Sequence, residues 1–238
     1  MGVRLTVIGC SPAWPNPGSA HSGYLVEDGD ARLLLDCGPG VLGRLRASGA
    51  LAVDAIAITH FHLDHWGDLV PWVWLTHQGL GPEKKPALWL PPQGRGELAT
   101  FSTIWGLEDM FGGAFDLEEY EAGAPFFVVG FEIEARPVAH YGLRAYGFRV
   151  RGPSGRVLAY SGDSGPCREL ARLADGADLF LCESTLGSPA DDGPERGHLS
   201  AEEALAIGEA PVLLTHRPVE LDTPPGAERA EDGLTVDV

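Results

Sequence analysis

Long apolar runs are missing from this sequence. None reaches the roughly 18 residues that a membrane-spanning helix requires, so we expect no membrane partner. The opening stretch MGVRLTVIGC is too short for a secretory signal and is typical of a first β-strand. Repeats, low-complexity tracts and linkers are also missing. We therefore expect a cytoplasmic protein with one domain over residues 1–238.

Cysteine is scarce. The chain has 4 cysteines, and no two of them form a CxxC pair. This spacing argues against a thiolate zinc knuckle and, without a secretory signal, against a disulfide framework. We expect small core residues beside strands at four positions, namely Cys10, Cys37, Cys167 and Cys182.

Basic residues are few relative to acidic ones. The chain has 17 lysines and arginines against 34 aspartates and glutamates, which gives a formal net charge of -17. A polyanion such as RNA would meet a repulsive average field. The composition therefore favours a small-molecule substrate and disfavours a nucleic-acid partner, although it leaves one open.

Short apolar segments alternate with segments of helical spacing. The segment GVLGRLRASG predicts a helix that ends at Gly49, and residues 64–80 and 97–111 predict two further helices. Ser200 and Glu203 have the spacing of a capping box at the start of another helix. Buried-strand patterns such as AIAIT and DLFLCEST lie between these helices. The mixture indicates an α/β or α+β fold.

A cluster of metal-binding residue types follows the predicted strand at 55–59. His60, His62, Asp64 and His65 fall within one hexapeptide, although the whole chain has only 8 histidines. His60 and His62 alternate in a loop and can converge on one ion, while Asp64 and His65 can turn toward a second. Imidazole and carboxylate are ligands expected for zinc, or for manganese or iron. A chance cluster on a solvated loop is a poor explanation.

Three more residues of these types end predicted strands, namely His140, Asp163 and His216. Each alone is more often a satisfied polar group of a core or loop. Because the loops that follow strands gather at one edge of a sheet, a single shared site explains all of them together.

The order of these motifs resembles the metallo-β-lactamase superfamily over nearly the whole chain. The resemblance implies an α+β fold, a four-layer αββα sandwich, around a dinuclear centre. It implies that the first metal is bound by His60, His62 and His140. The second would be bound by Asp64, His65 and His216, with Asp163 bridging both. Asp36 in LLLDCG would orient ligands through hydrogen bonds from behind them. True β-lactamases commonly use a thiolate where Asp163 stands, so antibiotic hydrolysis is a poor hypothesis.

Two segments of the second half resemble the ribonuclease Z branch of this superfamily. CESTL and GHLSAEEA supply Glu183 and His198, which match a glutamate–histidine pair near the metals. In that branch the histidine assists proton transfer to the leaving oxygen, so Glu183, His198 and the metal ligand Asp64 are the predicted catalytic residues. The alternative is that Glu183 only begins a loop and His198 only precedes a helix. The resemblance also implies a homodimer.

The chain departs from that branch in one respect. Ribonuclease Z enzymes typically carry a Gly-rich arm that grips tRNA, commonly between the third and fourth motifs, but here position 163 follows position 140 by only 23 positions. We therefore predict a phosphodiesterase for a small phosphodiester such as a cyclic nucleotide. Two divalent metals, Zn²⁺ foremost, would lower the pKa of a shared water so that hydroxide attacks phosphorus. The alternatives are a ribonuclease Z-type RNA endonuclease, a sulfatase, thioester or lactone hydrolase, and a non-catalytic metal-binding protein.

Aromatic residues near the metal-binding cluster are candidates to line a substrate cleft. Because aromatic residues at helical spacing usually pack in the core, we assign none of them to substrate. The residues concerned are Trp66, Trp72, Trp74, Phe101, Trp105 and Phe111. Of the two histidines outside every motif, His21 lies in a loop that the family places at the active-site edge, and His77 is expected at the surface or in helix packing.

Overall fold

Two seven-stranded sheets organise residues 2–238, the part of the chain that this computed structural model describes. The first sheet contains β1 (Arg4–Gly9), β2 (Gly23–Asp28), β3 (Ala31–Leu35), β4 (Ala55–Ala57), β5 (Ala87–Leu90), β6 (Asp116–Glu119) and β14 (Thr235–Asp237). The second contains β7 (Pro125–Val128), β8 (Phe131–Val138), β9 (Ala145–Arg151), β10 (Val157–Tyr160), β11 (Leu179–Glu183), β12 (Val212–Thr215) and β13 (Glu228–Arg229).

The two sheets share one pattern of strand pairing. The first has the order β14-β1-β2-β3-β4-β5-β6, antiparallel as far as β3 and parallel from β3 to β6. The second has the order β13-β12-β11-β10-β9-β8-β7, antiparallel from β7 to β10 and parallel from β10 to β13. Parallel strands send the loops at their carboxyl ends to one edge, which is where ligand-binding residues gather in such sheets.

Helices cover the outer faces of the sheets. They are α1 (Val41–Ser48), α2 (Leu63–Trp66), α3 (Leu69–His77), α4 (Gly94–Ile104), α5 (Arg168–Ala174) and α6 (Ala201–Leu205). Every helix within residues 2–238 is too short or too polar to cross a lipid bilayer.

Three apolar clusters define the layers. The largest joins inward-facing residues of both sheets, such as Leu33 and Phe148. A second lies between the first sheet and its helices and includes Ile56 and Trp72, and a third places Phe180 under the helices of the second sheet. Because each sheet buries both faces, the order of layers is helix, sheet, sheet, helix. The predicted αββα sandwich is confirmed.

Local signals in the sequence predicted several helix ends. The helix α1 stops at Gly49, whose φ of 74° is the left-handed conformation that favours glycine. The capping box of α6 is also present, since the Ser200 hydroxyl accepts from the Glu203 N–H while the Glu203 carboxylate accepts from the Ser200 N–H.

Other helix predictions were wrong in their bounds. The predicted helix over 64–80 is two helices, the second of which ends at His77, because Pro71 has no N–H to bond the carbonyl of Gly67 between them. The predicted helix over 97–111 begins at Gly94 and stops at Ile104, since Gly106 has a φ of 67° that an α-helix does not allow.

The cysteines are all free, as expected from their spacing. Three of them are buried, namely Cys10, Cys37 and Cys182. The prediction was wrong for Cys167, which is only half-buried because it lies at the amino end of α5 rather than beside a strand.

Candidate metal centre

The histidines and aspartates singled out in the sequence lie together, at loops that follow strands of both sheets. The loop after β4 carries His60 and His62 and continues into α2, which carries Asp64 and His65. The second sheet contributes three more loop residues, which follow β8, β10 and β12 in that order: His140, Asp163 and His216.

These side chains form two adjoining groups. In each group the nitrogen and oxygen atoms that can bind a metal all lie within 4.8 Å of one another. The first group is His60, His62, His140 and Asp163, and the second is Asp64, His65, His216 and Asp163. This grouping is the one that the sequence predicted, while ligation of metals by these residues stays a prediction.

Asp163 is the residue that both groups share. Its Oδ2 lies 3.8 Å from Nε2 of His60, and its Oδ1 lies 3.2 Å from Nε2 of His65. One carboxylate therefore presents an oxygen to each group, which is the geometry that a bridging ligand requires.

Hydrogen bonds behind the rings determine which nitrogen faces the centre for His60 and His65. The Thr59 hydroxyl donates to the Asp36 carboxylate at 2.9 Å, so it can only accept from His60 Nδ1, which is 3.0 Å away. Nδ1 of His65 lies 2.8 Å from the same carboxylate. In the neutral form of each ring the proton lies on Nδ1, so that the Nε2 lone pair would point inward to a bound cation.

His140 and His216 are held in the same way from the second sheet. Nδ1 of His140 donates to the Gly197 carbonyl at 2.8 Å. Nδ1 of His216 donates to the Thr185 hydroxyl at 2.8 Å, and that hydroxyl in turn donates to the His216 carbonyl. Four imidazoles are thus held through Nδ1 with their Nε2 atoms toward one space, as metal-binding histidines commonly are.

The atoms that face this space fit a divalent cation. Within residues 2–238, Nε2 of His60, Nε2 of His65 and Oδ1 of Asp163 are buried without a hydrogen-bond partner. Buried polar atoms without partners are rare and destabilising, and a cation would satisfy all three. Neutral imidazoles and carboxylates are suitable donors for zinc, manganese or iron. The chain therefore has the clustered residues of a divalent metal site.

The electrostatics differ between the rings. Burial opposes protonation of His65, but the carboxylates of Asp163, Asp36 and Asp64 raise its pKa well above the usual value, so a metal would displace a proton there. Burial lowers the pKa of His60, His62 and His140, which keeps these rings neutral. Burial opposes ionisation of Asp163, but His216 and His65 hold its pKa well below its usual range. A carboxylate thus stays charged among imidazoles, as metal binding requires.

Asp36 lies behind the centre at the end of β3, fully buried. Its carboxylate accepts hydrogen bonds from the Thr59 N–H and hydroxyl, from His65 Nδ1 and from the Tyr160 hydroxyl, the last at 2.8 Å. This position matches its predicted role of orienting ligands. The sequence analysis did not identify Thr59 or Tyr160 as its partners, because no local pattern links residues that are 23 or 124 positions apart.

Glu183 and His198 also meet, beside both groups. Nδ1 of His198 lies 2.8 Å from the buried Glu183 carboxylate, which also accepts from the backbone N–H groups of Ser164 and Thr185. The His198 ring lies 5.0 Å from that of His140 and 5.7 Å from that of His216. Burial opposes protonation of His198, but Glu183 raises its pKa to about 9. Glu183 therefore favours the protonated form of the ring.

A cavity of about 560 Å³ opens on the His198 side of the centre. It is lined by His198, His216, Tyr141 and Trp14, and none of the aromatic residues considered in the sequence analysis lines it. Of those, Trp66, Trp72 and Phe111 are core residues, as expected, whereas Trp74 and Trp105 are exposed elsewhere. Trp14 was missed because it lies in a Pro-rich loop without periodicity. A large aromatic residue in such a loop was the available signal.

The remaining two histidines take no direct part in the groups. His21 is buried in the loop before β2, with Nδ1 2.9 Å from the Pro12 carbonyl. His77 is exposed at the end of α3.

Comparison with known proteins places the chain in a family. Residues 31–216 match the family described as the β-lactamase superfamily domain. An uncharacterised protein of Mycobacterium leprae is 39% identical over 223 residues, which cover 91% of this chain and 78% of that protein. The chain therefore belongs to the metallo-β-lactamase superfamily, whose members are hydrolases.

Two further relatives have more informative names. The probable metallo-hydrolase YhfI of Bacillus subtilis is 30% identical over 91% of this chain and 87% of its own length. Its crystal structure covers the whole of both chains with a TM-score of 0.83. Ribonuclease Z of Mycobacterium bovis is 30% identical over 75% of this chain and 69% of its own length.

Proposed function

We propose that the protein is a dinuclear metal-dependent phosphodiesterase that hydrolyses a small phosphodiester such as a cyclic nucleotide. One observation carries this proposal: His198, hydrogen-bonded to buried Glu183 at 2.8 Å, stands beside both groups of candidate metal ligands. Hydrolysis of a phosphodiester expels an alkoxide, a poor leaving group that benefits from a positioned acid.

The candidate ligands would hold two divalent ions, for which Zn²⁺ suits the nitrogen and oxygen donors. When bound, such ions polarise a phosphoryl oxygen and lower the pKa of water. The residues of the chain supply the rest. Glu183 fixes the His198 ring through Nδ1, so that Nε2–H remains as the proton to be delivered to the leaving oxygen. Asp64, in the second group, has Oδ2 only 3.2 Å from His216 Nε2, so the two atoms would face the same ion.

A small substrate fits the chain better than a large polyanion. The segment between His140 and Asp163 consists of β9, β10 and a short connecting turn. The formal net charge of -17 repels a nucleic-acid backbone beyond the local site. The second candidate is a ribonuclease Z-type endonuclease, because ribonuclease Z of Mycobacterium bovis is 30% identical to the chain.

The test compares two substrates that differ in their need for an acid. Metal-loaded protein is assayed with 3′,5′-cyclic AMP, which expels an alkoxide, and with bis(p-nitrophenyl) phosphate, which expels a stable phenolate. Both activities should disappear with a chelator. His198→Ala should lower turnover of cyclic AMP by about 100- to 10,000-fold and that of the nitrophenyl ester far less. Its bound metal should be unchanged, as in the control His77→Ala.

Each contrary result has a definite meaning. If metal-loaded protein hydrolyses neither substrate, the phosphodiesterase proposal is wrong and the sulfate, thioester and lactone hydrolase hypotheses take its place. Cleavage restricted to precursor tRNA would favour the endonuclease. Loss of metal from His198→Ala would show that His198 supports the centre rather than donating a proton.

A further inference from the structure

The cavity beside His198 has a size and position suited to part of a substrate. Its volume of about 560 Å³ lies within the range of about 300–1,000 Å³ typical of small-molecule sites. His198 and His216 form the wall nearest the candidate metal centre. If His198 protonates the leaving oxygen, the group attached to that oxygen lies in this cavity.

The apolar part of the lining, called here the apolar wall, includes Trp14. Trp14 is 50% exposed, although a tryptophan usually buries most of its surface. Other apolar residues complete this wall, namely Ala13, Leu186, Pro218 and Leu221. An exposed indole in a cavity offers a flat surface on which an aromatic ring can stack.

The wall is held in position by hydrogen bonds between two loops. Nδ2 of Asn16 donates to the Arg217 carbonyl at 2.9 Å, and Oδ1 of Asn16 accepts from the Val219 N–H at 2.9 Å. These bonds tie the loop that carries Trp14 to the loop that carries His216 and Pro218. The distance between the indole and the candidate metal centre is therefore set by the fold.

The charge of the cavity restricts what it can contain. Asp191 and Glu220 line it, and within residues 2–238 its lining includes no lysine or arginine. A phosphate on the occupying group would face two carboxylates, and His198, which could offset them when protonated, is already engaged by Glu183. An uncharged group would avoid this repulsion and could donate hydroxyl or amino hydrogens to them.

We propose that this cavity binds the leaving group of the substrate and selects an uncharged aromatic group of nucleoside size. Trp14 provides the stacking surface, and Asp191 and Glu220 reject leaving groups that carry a phosphate in addition to the one being hydrolysed. The proposal rests on the phosphodiesterase function proposed above, since that function makes His198 the proton donor.

The first experiment measures binding without hydrolysis. Adenosine, which has no phosphate, is titrated into metal-loaded protein by calorimetry. Trp14→Ala should weaken its binding by about 10-fold, as expected for loss of one stacked base, while Trp14→Phe should stay within about threefold of wild type. Trp105→Ala, which removes an exposed tryptophan outside the cavity, is the matched control and should bind adenosine normally.

The second experiment tests the charge selection. Adenylyl adenosine is hydrolysed, and the nucleoside released identifies the leaving side. The same dinucleotide with a terminal phosphate on that nucleoside should have kcat/KM lower by about 10-fold or more. Glu220→Lys should reduce the difference in kcat/KM between the two dinucleotides to about threefold. Glu121→Lys makes the same charge change at an exposed position outside the cavity and should leave that difference unchanged.

The outcomes separate this proposal from the function on which it rests. Equal kcat/KM for the two dinucleotides, or normal adenosine binding by Trp14→Ala, would overturn the cavity assignment while leaving phosphodiester hydrolysis intact. Adenosine binding that depends on Trp14, without hydrolysis of any phosphodiester, would support the cavity as a nucleoside site and overturn the phosphodiesterase proposal alone.

Discussion

Replacing Asp36 by asparagine tests whether the residues behind the centre determine metal binding. The substitution preserves size and shape, and asparagine tolerates the left-handed φ of 59° at this position better than alanine does. It removes the charge and turns one of the two acceptor oxygens into a donor. Because Thr59 donates through its N–H to Oδ1, the amide oxygen should take that side.

The magnitude follows from the partners of the other oxygen. Oδ2 accepts from His65 Nδ1 and from the Tyr160 hydroxyl, both at 2.8 Å, and from the Thr59 hydroxyl at 2.9 Å. The Thr59 hydroxyl also lies 3.1 Å from Oδ1 and can keep that acceptor in the variant. Each hydrogen bond to a charged group contributes about 1.5–3 kcal/mol, but the Tyr160 hydroxyl can rotate and accept from the new amide. We therefore expect the free energy of unfolding in chelator to fall by about 2–4 kcal/mol.

The effect on metal binding comes from His65. Facing an amide N–H, its Nδ1 must become an acceptor, which moves the proton to Nε2 and removes the inward lone pair. Metal affinity should fall by about 10- to 100-fold, as is usual when such a hydrogen-bond partner is lost. Urea unfolding in chelator measures the free energy of unfolding, and competition with a chromophoric chelator measures the metal affinity.

The matched control is Tyr160→Phe, which removes one donor to the same oxygen and keeps the contact between Asp36 and His65. It should cost about 1–2 kcal/mol of stability and change metal affinity by less than about threefold. If Asp36→Asn binds metal as tightly as wild type, the argument that Asp36 fixes the His65 tautomer is refuted, whatever happens to stability.

Two further predictions concern other parts of the molecule. Glu203→Gln should cost about 0.5–2 kcal/mol at neutral pH, because the Glu203 carboxylate binds both ends of the Arg196 guanidinium and caps α6. The hydrogen bond from Arg196 lowers the pKa of Glu203 in the folded protein. The stability that Glu203 contributes is therefore present above the pKa it has in the unfolded chain, and it is lost as the pH falls through its pKa in the folded protein. Urea unfolding should therefore show wild type and variant converging in acid, and a constant difference would contradict the ionic explanation. In thiol labelling at pH 8, native protein should react quickly at half-buried Cys167 alone and at all four cysteines only after unfolding. Burial raises the pKa of Cys10 to about 12 and raises the pKa of two further buried thiols, those of Cys37 and Cys182. Fast reaction of more than one native thiol would show that the core opens.

The sequence allowed prediction of the parts that depend on local chemistry. The positions of His140, Asp163 and His216 after strands were enough to group them with the loop after β4, because the ends of neighbouring strands share an edge. The end of α1 at Gly49 and the capping box at Ser200 are also local signals, each contained within a few residues.

The parts that the sequence did not predict depend on tertiary contacts or on weak patterns. The strands β6, β13 and β14 lie at the edges of the sheets, where exposed side chains leave no alternation of apolar residues. The partners of the histidines behind the centre, such as Thr185 and the Gly197 carbonyl, come from other strands and loops. Trp14 lines the cavity from a loop that Asn16 joins to the loop after β12 by hydrogen bonds.

The candidate centre depends on the packing of the two sheets because neither sheet supplies a complete group of ligands. His60 and His62 come from the first sheet, and they meet His140 and Asp163 from the second. The residues behind the ligands also join the two sheets. Asp36, after a strand of the first sheet, accepts a hydrogen bond from Tyr160 of the second. The hydroxyls of Tyr24 and Thr215 form a second hydrogen bond across the same interface, at 2.7 Å. Buried polar contacts of this kind are directional, whereas the apolar core around them is not. The apolar residues between the sheets therefore bring the two halves together, and these few hydrogen bonds fix the alignment in which the imidazoles converge.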